Sequence, residues 1–404
     1  MLNTGELANY PNFRRLLISR LFGGAASQMV MMAVGWQMYE LTGSAWDLGL
    51  IGLFQFAPVL GLTLLAGHAA DRFNRARIVA CAVALQAVCT LVLLGATLSH
   101  SLSRELLIGM SIALGTATTF QRPAQGSLVG SIVPVHLLAR AMALSASVFQ
   151  AAVIAGPAIA GALFVLGGAY VYGIALGCLG LSLGLALRID HVFTPLGSRA
   201  PTWESMLAGV RFVRANRVLL GAISLDLLAV LLGGATALLP IYAKDLLGVG
   251  AAGLGALRSA PAAGALVMSV LLSRWPIQSR VGSRLLGAVA VYGCCMLLFG
   301  VSRSFVLSLA VLAISGAADM VSVVVRQTLV QTLTPDDMRG RVGAVSSMFI
   351  GASNQLGEFE SGATAALMGP VASVVLGGAG TLCIVALWYK VFPQLARQHS
   401  FEAR

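Results

Sequence analysis

The chain has 404 residues, of which 58% are hydrophobic and only 10% charged, with a formal net charge of +11 and a mean hydropathy of +0.87. A globular domain carries about 25% charged residues, so this composition excludes a soluble enzyme or binding module and predicts that most of the chain lies in lipid. The basic excess does not point to nucleic acid, because the Lys and Arg residues fall between apolar runs and not on one face or tail.

A spanning helix needs about 20 apolar residues. In chain order, twelve such helices fit: 16–40, 46–70, 77–98, 104–131, 139–166, 169–188, 217–243, 252–274, 283–301, 304–333, 341–368 and 370–391. The polar stretch before Arg14-Arg15 and the long apolar run after it read as a lead-in to a first span, with no cleavable signal. Placing both termini in the cytoplasm puts twenty Lys and Arg residues inside, among them Arg20, Arg72, Arg75, Arg77, Arg140 and Arg341, and three outside (Arg104, Lys244, Arg303). That is a strong positive-inside bias. The longest polar segment, 189–216, reads as a cytoplasmic linker between a bundle at 1–188 and a second at 217–404. Within it Trp203, Met206, Leu207, Val210 and Val213 recur at helical spacing, which fits either a surface helix or a plain tether.

The halves repeat. At a shift of 203, Gly49, Gly52, Ala57, Pro58 and Gly61 meet Ala252, Gly255, Ala260, Pro261 and Gly264; at a shift of 201, Pro134, Arg140, Gly156 and Gly161 meet Pro335, Arg341, Gly357 and Gly362. A register held from the first span to the eleventh predicts an all-α membrane protein of twelve transmembrane helices in two pseudo-symmetric six-helix bundles.

Spans three, six, nine and twelve carry no charge away from their ends and hold all six cysteines, so they are predicted to face lipid. Neither a disulfide framework nor a metal site is expected, and the five scattered histidines form no catalytic constellation. The chain therefore reads as neither an enzyme nor a cofactor protein. Ionisable residues inside spans are Arg122, Asp226, Arg258, Asp319, Arg326, Glu358 and Glu360, all on helices expected to enclose a cavity, where intramembrane charge marks function. Asp319 and Arg326 are seven apart, hence on one face but about 10 Å apart along the axis, and each needs a partner elsewhere. Glu358 and Glu360 point in nearly opposite directions; Asn354 and Ser361 share the face of Glu358, which is therefore expected to line the cavity.

Low dielectric disfavours the charged form of a carboxylate, which suits one of Asp226, Asp319, Glu358 and Glu360 to take and release a proton. The competing reading is an interhelical ion pair, for instance Glu358 or Glu360 with Arg258 or Arg326. Arg122, flanked by Gln121 and Gln125 one turn apart, suits a planar, oxygen-rich ligand; a gate or helix-pair role is the alternative.

Five segments carry a resemblance to a known family. Gly67-x-x-x-Asp71-Arg72-x-x-Arg75 resembles the loop 2–3 signature of the major facilitator superfamily, and Gly156-Pro157-x-x-x-Gly161 is similar to the span-five motif of its proton antiporters. Ser224 to Val230, Leu238 to Ala243 and Gln355 to Gly362 resemble the enterobactin (siderophore) exporter subfamily. The resemblance implies a monomeric exporter in the bacterial inner membrane, working by alternating access, with a small-molecule cargo, protons and membrane lipid as partners and no nucleic acid. A siderophore is the first choice of cargo, and a broad-range drug/proton antiporter is the alternative. Asp71, with Arg341, is expected to serve a cytoplasmic gate; the counterpart turn Ser273-Arg274-Trp275-Pro276 lacks the Asp.

Overall fold

The computed structural model describes residues 5–190, 203–335 and 338–401. Twelve long helices follow one another: α1 Pro11–Thr42, α2 Ala45–Arg72, α3 Arg75–Leu98, α4 Arg104–Ile132, α5 Val135–Phe164, α6 Gly168–Leu187, α7 Arg217–Gly233, α8 Gly250–Arg274, α9 Val281–Val301, α10 Phe305–Thr332, α11 Arg339–Met368 and α12 Pro370–Val391. Ten spans, including α7 extended to Leu246, are long and apolar enough to cross a membrane on composition alone. The other two, α4 and α11, are 29 and 30 residues long but carry charge along their length: Arg104, Glu105 and Arg122 in α4, and Arg339, Arg341, Glu358 and Glu360 in α11. The chain is an all-helical, multi-pass membrane protein.

Helix boundaries follow from local chemistry. Asn74 Oδ1 accepts the Ala76 and Arg77 amides to cap α3, Ser103 caps α4, and Asn216 Oδ1 accepts the Val218 and Leu219 amides, both at 3.1 Å, to start α7. Each cap satisfies amides that have no partner in the first turn. Gly43, in the left-handed region at φ 62°, ends α1.

The seventh span is not one helix. Its backbone becomes extended at Gly234, and a 3-10 turn (Thr236–Leu238), a short α turn and a π turn (Tyr242–Leu246) carry it onward. The exposed carbonyl of Gly234 is taken by the Ser361 hydroxyl of α11, so the break is satisfied by its neighbour and not by lipid. Residues 191–202 of the expected linker lie outside the described residues; the part that follows forms a helix, Trp203–Ala215, with Val213 buried and Leu207 exposed.

The chain divides into two compact units, 1–43 with 54–201 and 44–53 with 202–404. Within each unit the same close approaches recur. In the first unit, a methyl group built on Gly156 of α5 would lie 2.8 Å from the Ala25 carbonyl oxygen of α1; in the second, one on Gly357 of α11 would lie 2.8 Å from the Val230 carbonyl oxygen of α7. Gly115 of α4 is seated on the Gln55 backbone of α2, and its counterpart Gly316 of α10 on the Pro261 backbone of α8. Both glycine pairs are separated by the repeat register (357 − 156 = 201 and 316 − 115 = 201). Membrane helices lack a hydrophobic drive toward one another, so contacts of this kind are a main source of their packing. A valine at Gly316 is therefore expected to lower thermal stability by about 1–3 kcal/mol through overpacking, read as a lower melting point of the purified protein in detergent. Gly287→Ala, where the added methyl meets open space, is expected to melt with the wild type.

Candidate functional site

Three polar residues mark one stripe of α10. Asp319, Ser322 and Arg326 follow at intervals of three and four, so they share a face. Arg326, 2% exposed, forms an ion pair through Nη1 with Asp226 of α7, itself 5% exposed. The sequence left Arg326 open to Glu358 or Glu360; α7 supplies its partner instead, because the apposition of α7, α10 and α11 turns Asp226 toward it.

The pair stands between two small cavities of the second unit. One is lined by Asp226, Tyr292, Asp319 and Ser322 among small apolar residues of α7, α9 and α10. The other is lined by Asp226, Arg326, Ser346 and Phe349 with apolar residues of α7 and α11. In the first cavity the Tyr292 hydroxyl donates to the Gly233 carbonyl at 2.9 Å. Ser322 Oγ is buried with no hydrogen-bond partner among the described residues. Asp319, half-buried at the same cavity, likewise meets no cation and no hydrogen-bond donor among them.

The remaining acids have company. Glu358 of α11 and Arg258 of α8 lie within each other's electrostatic reach. The Glu358 side chain also crosses Gly52, where an added methyl would come within 2.9 Å of it. Glu360 accepts from the Thr364 hydroxyl at 3.2 Å, one turn along its own helix. Asn354 is exposed. Of the seven charged residues that the sequence singled out inside spans, the structure pairs Asp226 with Arg326, sets Glu358 within electrostatic reach of Arg258, and leaves Asp319, Glu360 and Arg122 without a counter-ion among the described residues.

In the first unit, Gln121 accepts from Gln86 Nε2 of α3 at 2.8 Å and is thus tied to that helix, whereas its neighbour Arg122 is exposed; Gln125 is half-buried. The charged turn between α2 and α3 has a structural anchor in Arg75. Its guanidinium is buried and donates to the Ala70 carbonyl at 3.1 Å and to the Ser127 carbonyl of α4 at 3.3 Å, which ties the turn to the bundle. Gly67 and Asp71 are half-buried and Arg72 is exposed. Gly156, Pro157 and Gly161 are all buried, with Gly156 against Ala25 and Gln28 of α1. Arg341 is exposed at the start of α11, where a methyl on Gly209 of the linker helix would lie 3.0 Å from its carbonyl oxygen.

Three residues escaped the sequence reading. Ser322 lies on the Asp319–Arg326 face, so its spacing could have found it. Tyr292 sits in mid-helix on α9, a span expected to face lipid, yet it turns toward the acids. Arg20 was counted as a topology signal, but it stands in the third turn of α1 with its guanidinium against α5.

A family model described as transmembrane secretion effector matches residues 7–402 of the chain. The chain is 28% identical to the enterobactin exporter EntS of Shigella boydii serotype 18 and to that of Escherichia coli O139:H28, in each case over 98% of this chain and 95% of the relative. Among solved structures, a bacterial homologue of the human lysosomal transporter Spinster superposes with a TM-score of 0.74 at 14% identity, covering 95% of this chain and 96% of that one. The nucleoside transporter NupG does so with a TM-score of 0.70 at 13% identity, over 94% and 99%.

Removing one partner of a buried ion pair leaves the other uncompensated, at a cost of about 3–5 kcal/mol, whereas replacing both by apolar groups is often neutral. Asp226→Asn is accordingly expected to depress the melting point sharply. The double variant Asp226→Leu/Arg326→Met is expected to recover most of that loss in the same thermal scan.

Proposed function

Because the chain belongs to the transmembrane secretion effector family of the major facilitator superfamily, we propose that it is a proton-coupled exporter of a siderophore. It sits in the bacterial inner membrane as a monomer with both termini in the cytoplasm and works by alternating access. The observation that carries the coupling is Asp319. Of the four acids in mid-span, Asp226 is neutralised by Arg326, Glu358 lies in the field of Arg258, and Glu360 is held by Thr364. Asp319 faces its cavity with no cation beside it among the described residues. An uncompensated charge in a membrane interior is costly, and binding a proton removes it. A group in that position favours one conformation of its bundle when protonated and another when ionised, which is what coupling requires.

The siderophore assignment draws on the near full-length likeness to enterobactin exporters and on Arg122, a planar cation suited to oxygen-rich cargo. The second reading, a broad-range drug/proton antiporter, has its support in the same Asp319, since an unpaired carboxylate also suits a cationic drug.

Proteoliposomes with the cytoplasmic face outward and an acid lumen separate the two. Enterobactin is expected to accumulate in the lumen while a lipophilic cationic dye does not; the reverse result identifies the drug antiporter. One pH unit coupled to one proton supports an about tenfold concentration ratio of cargo, and collapsing the gradient is expected to abolish it. Asp319→Asn is expected to reduce accumulation to that collapsed-gradient level, whereas Asp319→Glu restores it. If accumulation by the wild type ignores the gradient, protons are not coupled.

A further inference from the structure

The first unit carries two positive groups deep in its helices and, among its described residues, no acid at comparable depth: Glu40, Asp71 and Glu105 all lie in terminal turns of α1, α2 and α4. One of these cations is Arg122. The other, Arg20, is held in a particular way. Its Nη1 donates to Ser145 Oγ of α5 at 2.7 Å, and its guanidinium carbon lies 5.5 Å from the centre of the Phe149 ring, one turn further along that helix. Its Nε is buried with no partner among the described residues.

A guanidinium laid over an aromatic face has its plane fixed, and its remaining donors point outward in the fork that fits a carboxylate or a pair of adjacent oxygens. Here the platform is itself open, since Phe149 is 41% exposed. Ser145 and Phe149 supply a hydroxyl and a π face, and neither cancels the charge. No carboxylate lies within ion-pair distance of Arg20 among the described residues. A cation so placed costs free energy in a membrane interior unless an anion joins it.

Depth brings Arg122 into the same account. Arg20 is nine residues from the first residue of α1, and Arg122 ten residues from the last of α4. With four alternating spans those two ends lie on the same face, which puts both cations about 13–15 Å in from it at a rise of 1.5 Å per residue. Helix α1 packs against both α4 and α5.

We propose that Arg20, set on Phe149 and Ser145 and assisted by Arg122, is an anion site of the first unit that binds the acidic, aromatic part of the cargo. The ring of such a molecule meets the Phe149 platform, while its carboxylate or catecholate oxygens take the guanidinium donors. This rests on the exporter reading but not on proton coupling. An anionic lipid phosphate shares part of the chemistry but lacks the ring that the platform would engage.

The test is equilibrium binding to the purified full chain in neutral detergent, with a dihydroxybenzoate and its uncharged methyl ester as probes. The wild type is expected to prefer the anion by about tenfold or more, the scale of one hydrogen-bonded charge contact. Arg20→Gln is expected to erase the preference, and Arg20→Lys to retain part of it. Phe149→Leu, which keeps the charge and removes the ring, is expected to weaken binding of both probes several-fold, and it serves should Arg20→Gln fail to fold.

Equal binding of acid and ester by the wild type, binding of neither, or a preference unchanged in Arg20→Gln would each overturn the site. So would displacement of the acid by phosphatidylglycerol with the same Arg20 dependence, since that would assign the site to lipid. If the preference is present but the gradient fails to drive export, the anion site stands and proton coupling falls.

Discussion

The cost of an unpaired charge in a hydrocarbon interior orders the polar residues of this molecule, and the Asp226–Arg326 ion pair meets that cost by direct charge neutralisation. Both groups are almost fully buried. Neither α7 nor α10 could hold its charged residue there alone, so each helix fixes the rotation of the other. The break in α7 at Gly234 lies less than three turns further on and is closed by Ser361 of α11, whose Gly357 lies against Val230 and Leu231. The second unit is thus tied along one seam by an ion pair, a backbone contact and a hydroxyl, each satisfying a group that lipid would leave bare.

Against that background the exceptions carry the information. A bundle that neutralises Asp226 and sets Arg258 within electrostatic reach of Glu358 has the means to neutralise Asp319 as well, and among the described residues it does not. Arg326 lies on the same helix face, about two turns along, but is committed to α7. Tyr292, which also lines the cavity, spends its hydroxyl proton on Gly233. The first unit shows the opposite sign: Arg20 and Arg122 are positive, and the nearest acids of its helices are at their ends. On the function proposed above, both exceptions have a use: a cation to hold an anionic, oxygen-rich cargo and an acid to hold a proton.

The spans were legible because apolar length and interrupting Arg clusters are one-dimensional signals, and the repeat was legible because Gly and Pro recur in register. The candidate acids were legible because charge is conspicuous in an apolar run. Partner choice was not legible. Spacing shows that Asp319 and Arg326 share a face, but which neighbour that face meets depends on how α7 and α11 close on α10, and small residues such as Gly357 set that. The interruption of the seventh span was also hidden, since Gly233-Gly234 in a Gly-rich apolar segment looks like ordinary packing until a hydroxyl is found on the freed carbonyl. Arg20 was obscured by a counting rule: tallying Arg by position in the chain treats one near a span's start as a loop residue, whatever its side chain touches.

The two units share a scaffold without sharing a chemistry. Gly156 and Gly357 reproduce one backbone approach to the same 2.8 Å, and Gly115 and Gly316 reproduce another. Backbone contacts tolerate no side chain, so a duplicated bundle can keep them only by keeping glycine. Polar side chains are under no such constraint: the position matching Asp319 at the same shift is Thr118, and the one matching Arg326 is Gln125. The repeat therefore preserves what shapes each half and leaves the polar side chains within it free to differ. On the function proposed above, that difference lets one bundle answer to cargo while the other answers to protons.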